Sequence, residues 1–190
     1  YITLNMALHF TKEEFNNRKE KVLNSMKKQN IDILLMFRQE SMYWLTGYDT
    51  FGYVFFQTLI LDQKGNTILL TRAPDLRQAQ NTSNISDIRI WIDKDGSNPT
   101  DDLKLILNEL NSKGKKIGIE YEAYGMTGRN ALRLNKSLED YCEIDDKSEL
   151  ISKLRAVKSD EEIIYIKKAA DLADRALEEA WKYSRSGVSE

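Results

Sequence analysis

The sequence predicts an α/β fold, a mixed sheet with helices on both faces, and three observations predict it. Short apolar runs rich in β-branched and aromatic residues alternate with segments of helical periodicity along most of the chain. One short glycine-containing loop, Asp62-Gln63-Lys64-Gly65-Asn66, joins two such runs and so inserts a hairpin. The first run, Ile31 to Met36, follows a helical segment directly, which puts it near the middle of the sheet.

Taken in order, Thr11-Lys12-Glu13-Glu14 has the form of a capping box. Phe15, Val22, Leu23 and Met26 then recur at helical spacing up to Asn30. After the Ile31–Met36 strand a short helix or turn is expected over Gln39 to Leu45. Val54 to Leu61 and Thr67 to Thr71 form the hairpin strands. Pro74 suits a first helical turn, because its missing N–H would be unpaired there, and that helix should run to about Gln80. Ile88, Ile90 and Ile92 alternate with Asp87, Arg89 and Trp91 as a strand with one solvated face. Asn98-Pro99 opens a helix with Leu103, Ile106, Leu107 and Leu110 as its buried stripe, closed by Gly114. Ile117 to Ile119 is a strand, Thr127 to Leu138 a helix, and Tyr141 to Ile144 a last short strand. Ser159-Asp160-Glu161-Glu162 is a second capping box, which starts a long helix to about Tyr183. Its stripe contains Ile163, Ile166, Ala170, Ala173, Leu177, Ala180 and Trp181. There is no internal repeat and no low-complexity stretch.

Composition narrows the function. Lys and Arg total 28 against 30 Asp and Glu, a net charge of -2, which argues against a nucleic-acid or anionic-membrane partner. No apolar run approaches the roughly 18 residues of a membrane span, and no cleavable leader pattern appears. The expected setting is soluble and cytoplasmic. The single cysteine, Cys142, sits in an apolar alternation and reads as a core residue. The lone histidine, His9, reads as a solvated tail residue, and no His- or Cys-rich spacing offers a metal site.

The stretch with most functional content is Tyr43 to Tyr53, five aromatic rings in eleven residues with glycines at 47 and 52. Helical spacing can bury Tyr43, Trp44 and Leu45. Tyr48, Phe51 and Tyr53, beside Gly47, Asp49 and Gly52, are candidate binding residues, because loops with exposed aromatics often bind. Arg72, at a strand end, is a candidate for a substrate carboxylate, which a guanidinium can hold through two hydrogen bonds. Asp75 reads as an ion-pair or helix-terminus residue. Asp32, Asp49, Asp62 and Asp93 could be imagined as a two-metal nuclease cluster. Asp62 and Asp93 occupy ordinary turn positions, however, and the charge balance gives a polyanion no basic path.

Three segments carry a family resemblance: MYWLTGY after the first strand, IGIEY in a later one, and LRAVKSDEEIIYIKKAADLAD near the end. In their order and spacing the chain resembles the N-terminal domain of the creatinase and Xaa-Pro peptidase (prolidase-like, pita-bread) hydrolases, from Met6 onward. The resemblance implies a ribonuclease H-like three-layer αβα sandwich around a mixed, roughly six-stranded sheet, plus a long C-terminal helix. Residues 1–5 read as upstream leader, since the pattern settles only after Met6; the resemblance implies the domain proper at 6–154, and a linker at 155–190 with the first helix of a catalytic domain outside this sequence. It implies no catalytic or metal-binding residue in the present chain, since the family's divalent metals are held in that other domain. It also implies a homodimer whose N-terminal domain contributes substrate-access residues in trans for C–N bond hydrolysis. The aromatic and arginine that reach the substrate in creatinase fall near Phe51 and Tyr53. Tyr53 departs from the arginine, so a proline-containing dipeptide or another cyclic amide fits better than creatine. The alternative is a protein-binding pseudo-peptidase module without catalysis, as in histone-chaperone relatives of this fold.

Overall fold

The computed structural model describes residues 8–189; the leader expected at 1–5 lies outside them. Two compact units divide between Arg155 and Ala156. The first carries a six-stranded mixed sheet with strands β1 (Ile33–Met36), β2 (Thr58–Asp62), β3 (Thr67–Arg72), β4 (Asp87–Trp91), β5 (Lys116–Ile119) and β6 (Glu143–Asp146), in the order β4-β3-β2-β1-β5-β6. β2 is antiparallel to both β1 and β3, while β1–β5, β3–β4 and β5–β6 are parallel. β1 is central, as its apolar run predicts, and all four of its residues are buried.

Alternate residues of the strands feed two cores, which makes the domain a three-layer sandwich. Ile33, Leu35, Ile60, Ile68, Leu70, Ile117 and Ile119 face one side. There they meet Leu103, Ile106 and Leu107 of helix α4 (Pro99–Glu109) and Leu134 and Leu138 of α5 (Gly128–Leu138). Leu34, Met36, Leu59, Leu61 and Leu69 face the other. That side is covered by Val22 and Met26 of α1 (Lys12–Lys28), Met42, Trp44 and Leu45 of α2 (Gln39–Thr46), and Ala79 of α3 (Leu76–Thr82). Leu150 and Ile151 of α6 (Leu150–Ala156) complete it. Three helix-to-strand exits, at Asn30, Asn111 and Asp140, use positive φ, the conformation that Asn and Asp tolerate best after glycine.

Several expectations shift. The strand expected from Val54 begins only at Thr58. β1 ends opposite Leu59, so residues 54–57 have no partner on that side, and Gly52–Val54 closes instead into a 3-10 turn. The last strand begins at Glu143, because Asp140 turns the chain and Tyr141 drops into the core, its hydroxyl 3.2 Å from Ser112 Oγ. On β4 the buried side chain is Trp91 rather than an isoleucine, and Ile92 beyond it is exposed: β4 is an edge strand whose isoleucine face is incompletely covered. Gly114 lies beyond α4, in the turn that enters β5. Helix α6 was not expected; its signal is Leu150, Ile151 and Leu154 at helical spacing.

The second unit contains α7 (Asp160–Tyr183), opened by the predicted capping box, in which Ser159 Oγ accepts from Glu162 N–H and the Glu162 carboxylate accepts from Ser159 N–H. No residue of α7 is buried.

Candidate functional site

Because β1, β3, β4 and β5 run in one direction, their carboxyl ends and the start of β2 share one edge of the sheet, and the aromatic block rises from that edge. Its first half is interior but for Tyr43, which is half-buried. Trp44 and Leu45 lie on the buried face of α2, and Gly47 stops that helix in the left-handed region at φ 81°, its N–H donating to Tyr43 O over 2.7 Å. A Cβ there would come within 2.8 Å of the Thr82 carbonyl oxygen. Tyr48 follows at 0% exposure, its hydroxyl donating to Gln57 Oε1 over 2.7 Å. Burial pushes this phenol up from its ordinary value. The expectation of an outward-facing Tyr48 is therefore corrected: the turn at Gly47 drives the ring under the loop, where it forms the loop's foundation. His9, expected to be solvated, is exposed, and its Nδ1 lies 2.6 Å from the Tyr43 hydroxyl.

The second half is exterior. Phe51 is 89% exposed, and Tyr53, Val54 and Phe55 are each more than a third exposed. Tyr124, at 75%, rises from the loop after β5 and meets Tyr53 edge-on with ring centroids 5.5 Å apart. Together these side chains make an aromatic ridge. The ridge rests on a polar clamp. Thr50 donates to Asp75 Oδ1 over 3.0 Å, and Gly52 N–H donates to Thr50 Oγ1 over 2.9 Å. Arg72 donates to Asp75 Oδ2 through Nε and approaches it through Nη2, both at 3.1 Å, with its guanidinium 3.4 Å from the Phe55 ring centroid. Two glycines allow the approach. A Cβ on Gly52 would lie 2.3 Å from Asp75 Oδ1, and one on Gly125 would lie 2.2 Å from the Phe55 carbonyl oxygen.

Arg72 thus faces Asp75 and Phe55, with Asp93 at 3.9 Å, rather than open space. The carboxylate that this guanidinium holds in the structure is that of Asp75, beneath the ridge. Asp75, read as an ion-pair residue, is buried and holds both Thr50 and Arg72. Asp32 accepts from Lys116 N–H and Asp62 from Lys64 and Asn66 N–H at the far edge of the sheet, away from Asp49 and Asp93. Among the described residues no group of three or more His, Cys, Asp or Glu could hold a metal ion, so these residues do not fit the divalent metal that the resemblance implies.

Tyr124 and one buried acid of the site went unrecognised from sequence. Glu120, fully buried, receives Phe37 N–H and Arg38 N–H at 3.1 Å on one oxygen and the Ser41 hydroxyl at 2.6 Å on the other. It ties the end of β5 to the start of α2. Burial pushes its carboxyl up to about 7. Its signals were an acidic residue directly after the apolar Ile117–Ile119 run and its place in the IGIEY segment. Two hollows flank the ridge: one of 630 Å³ between Arg38, Tyr121 and Arg155, and one of 480 Å³ between Trp91 and the first turns of α5.

Sheet order, layers and an edge-borne aromatic ridge define an α/β domain with its exposed features gathered at the carboxyl ends of the strands. By its match over residues 18–157 to the model of the creatinase/prolidase N-terminal domain, the chain belongs to that family. It is 27% identical over 188 residues to an uncharacterised hydrolase/peptidase of Sinorhizobium fredii, covering 95% of this chain and 48% of that protein. It is also 27% identical over 176 residues to the ectoine hydrolase of Halomonas elongata, covering 89% and 44%. A prolidase from Thermococcus sibiricus superposes with a TM-score of 0.76 at 22% identity, over 92% of this chain and 46% of that one. An Xaa-Pro dipeptidase from Bacillus anthracis gives 0.74 at 22%, over 93% and 45%. At that identity these two likenesses speak for the fold. The chain spans about half the length of these relatives. Among the described residues no helix is long and apolar enough to cross a membrane.

Proposed function

We propose that this chain is the non-catalytic N-terminal domain of a creatinase or Xaa-Pro dipeptidase-like hydrolase. In this reading it supplies dimer contacts and substrate-access residues for hydrolysis of a C–N bond, in the cytoplasm, on a dipeptide or a cyclic amide-like compound. The ridge supports the reading most directly. Phe51 and Tyr53 are large apolar groups on a turn that Thr50, Arg72 and Asp75 hold at the sheet edge, and Tyr124 meets Tyr53 edge-on from the loop after β5. The relative named as an ectoine hydrolase supports hydrolysis of a small cyclic compound. A divalent metal, where the enzyme uses one, would be held outside this chain and would activate water there.

The test is made in the full-length protein. Phe51→Ala and Tyr53→Ala should raise KM for the substrate several-fold with little change in fold. Mixing a ridge variant with a variant inactivated in the other half should restore activity if the ridge serves the neighbouring subunit. Unchanged kcat/KM in both ridge variants would sink the proposal. The ridge equally suits a protein partner; a full-length protein inert on dipeptides and cyclic amides, yet losing a binding partner on Phe51→Ala, would establish the pseudo-peptidase reading instead.

A further inference from the structure

We infer that the 480 Å³ hollow beside the ridge binds a small organic anion, an apolar ring or chain ending in a carboxylate or phosphate. The inference does not depend on the hydrolase reading.

The floor of this hollow is aromatic and fixed. Phe55 and Phe56 line it together with Trp91. The Trp91 indole N–H donates to Phe56 O over 3.0 Å, and Phe56 packs edge-on to Phe37 at 5.3 Å. Such a floor takes a flat apolar group without having to reorganise. The wall is cationic. Arg129 and Arg133 stand one turn apart on α5 and both line the hollow, as does Lys94 from the loop after β4. Among the described residues, Arg18, Arg38, Arg72 and Arg89 each engage a carboxylate. Arg129, Arg133 and Lys94 engage none. Like charges at this helical spacing repel, by a few tenths of a kcal/mol in an isolated helix. Here no carboxylate relieves the repulsion. Of the two acidic side chains in the hollow, Asp93 lies 3.9 Å from Arg72, which leaves Asp95 against three lining cations in number. A local excess of positive charge over an aromatic floor, in a chain of net charge -2, is complementary to an apolar anion. The guanidinium pair would grip its oxygens, while the ring lies on the exposed Phe55 beside the edge of Trp91.

The test uses the isotope-labelled chain, following the Trp91 indole N–H and the Arg129 and Arg133 Nε–H resonances. Benzoate and phenyl phosphate are titrated, with benzyl alcohol and inorganic phosphate as controls. Saturable shifts of all three resonances by either aromatic anion are expected, and the tighter of the two identifies the headgroup as carboxylate or phosphate. Arg129→Gln with Arg133→Gln should weaken that binding by about tenfold or more, as loss of a charged two-point contact does. These side chains lie on the surface of α5, so the variant should keep its fold, which its spectrum will report. The inference is overturned if neither aromatic anion gives saturable shifts, if the double variant binds as well as the parent, or if either control binds as tightly as the aromatic anions.

Discussion

The two halves of the aromatic block, Tyr43 to Tyr48 and Phe51 to Phe55, resemble each other in composition and meet opposite fates. In the first, helix α2 turns Trp44 and Leu45 onto the sheet, and the left-handed Gly47 sends Tyr48 in behind them. In the second, the chain leaves the sheet where β1 no longer offers a partner, and Asp75 holds the turn from below while the rings stay outside. Aromatic content is therefore a poor guide to burial. The backbone path between the two glycines decides it, and with it which residues build the domain and which are free to recognise something else.

The comparison breaks most sharply under truncation to alanine. Trp44→Ala should cost about 3–5 kcal/mol and Leu45→Ala about 2–5 kcal/mol, since both leave cavities in a packed core. Phe51→Ala should change stability by no more than about 0.5 kcal/mol, as surface substitutions do. Urea denaturation of the three variants checks this. A Phe51→Ala loss comparable with that of Leu45→Ala would mean that the ridge is part of the core.

A smaller effect separates the halves by pH. Glu120 anchors the buried half, and its carboxyl, ordinarily near 4.5, is pushed up to about 7 in the folded chain. The folded state binds this proton more tightly than the unfolded one. Its contribution is therefore complete below the unfolded value and is lost as pH rises through about 7. Between pH 5 and 8, stability should fall by about 2–3 kcal/mol at most. Glu120→Gln imitates the neutral acid, with its carbonyl oxygen accepting from Phe37 and Arg38 N–H and its amide donating to Ser41, and should flatten that slope. The measurement is the urea midpoint across this range for both proteins.

Sequence patterns carried the sheet, the central place of β1, the hairpin and most helix starts, because periodicity and caps are local. What they missed was set by distant partners. The late start of β2 depends on where β1 ends, and the burial of Trp91 on which face of an edge strand is covered. For the site, Phe51 and Tyr53 were legible as aromatics next to glycine. Tyr48 was misjudged because the same signature describes a ring turned inward. Tyr124 and Glu120 come from segments about seventy or more residues away in the chain, and their roles rest on contacts across β1 and β5 that no local pattern encodes.

The finest distinction concerns what keeps the outer half in order. Arg72 has two roles that lysine could not combine: its planar group bonds Asp75 through two nitrogens and at the same time lies flat on Phe55. Arg72→Lys preserves the charge and removes the stacking and the second contact. It should cost about 1 kcal/mol, within the range of a partly buried cation–π contact. The loss should be local. Amide exchange should accelerate over residues 50–56 while β2 and β3, held by their own ladder, keep their protection. Uniform acceleration across the sheet would assign Arg72 to the core, and no acceleration at all would mean that Asp75 and the two glycines hold the ridge without it. Only the local pattern fits a clamp whose purpose is the shape of an exposed surface, with the stability of the domain resting on the inner half.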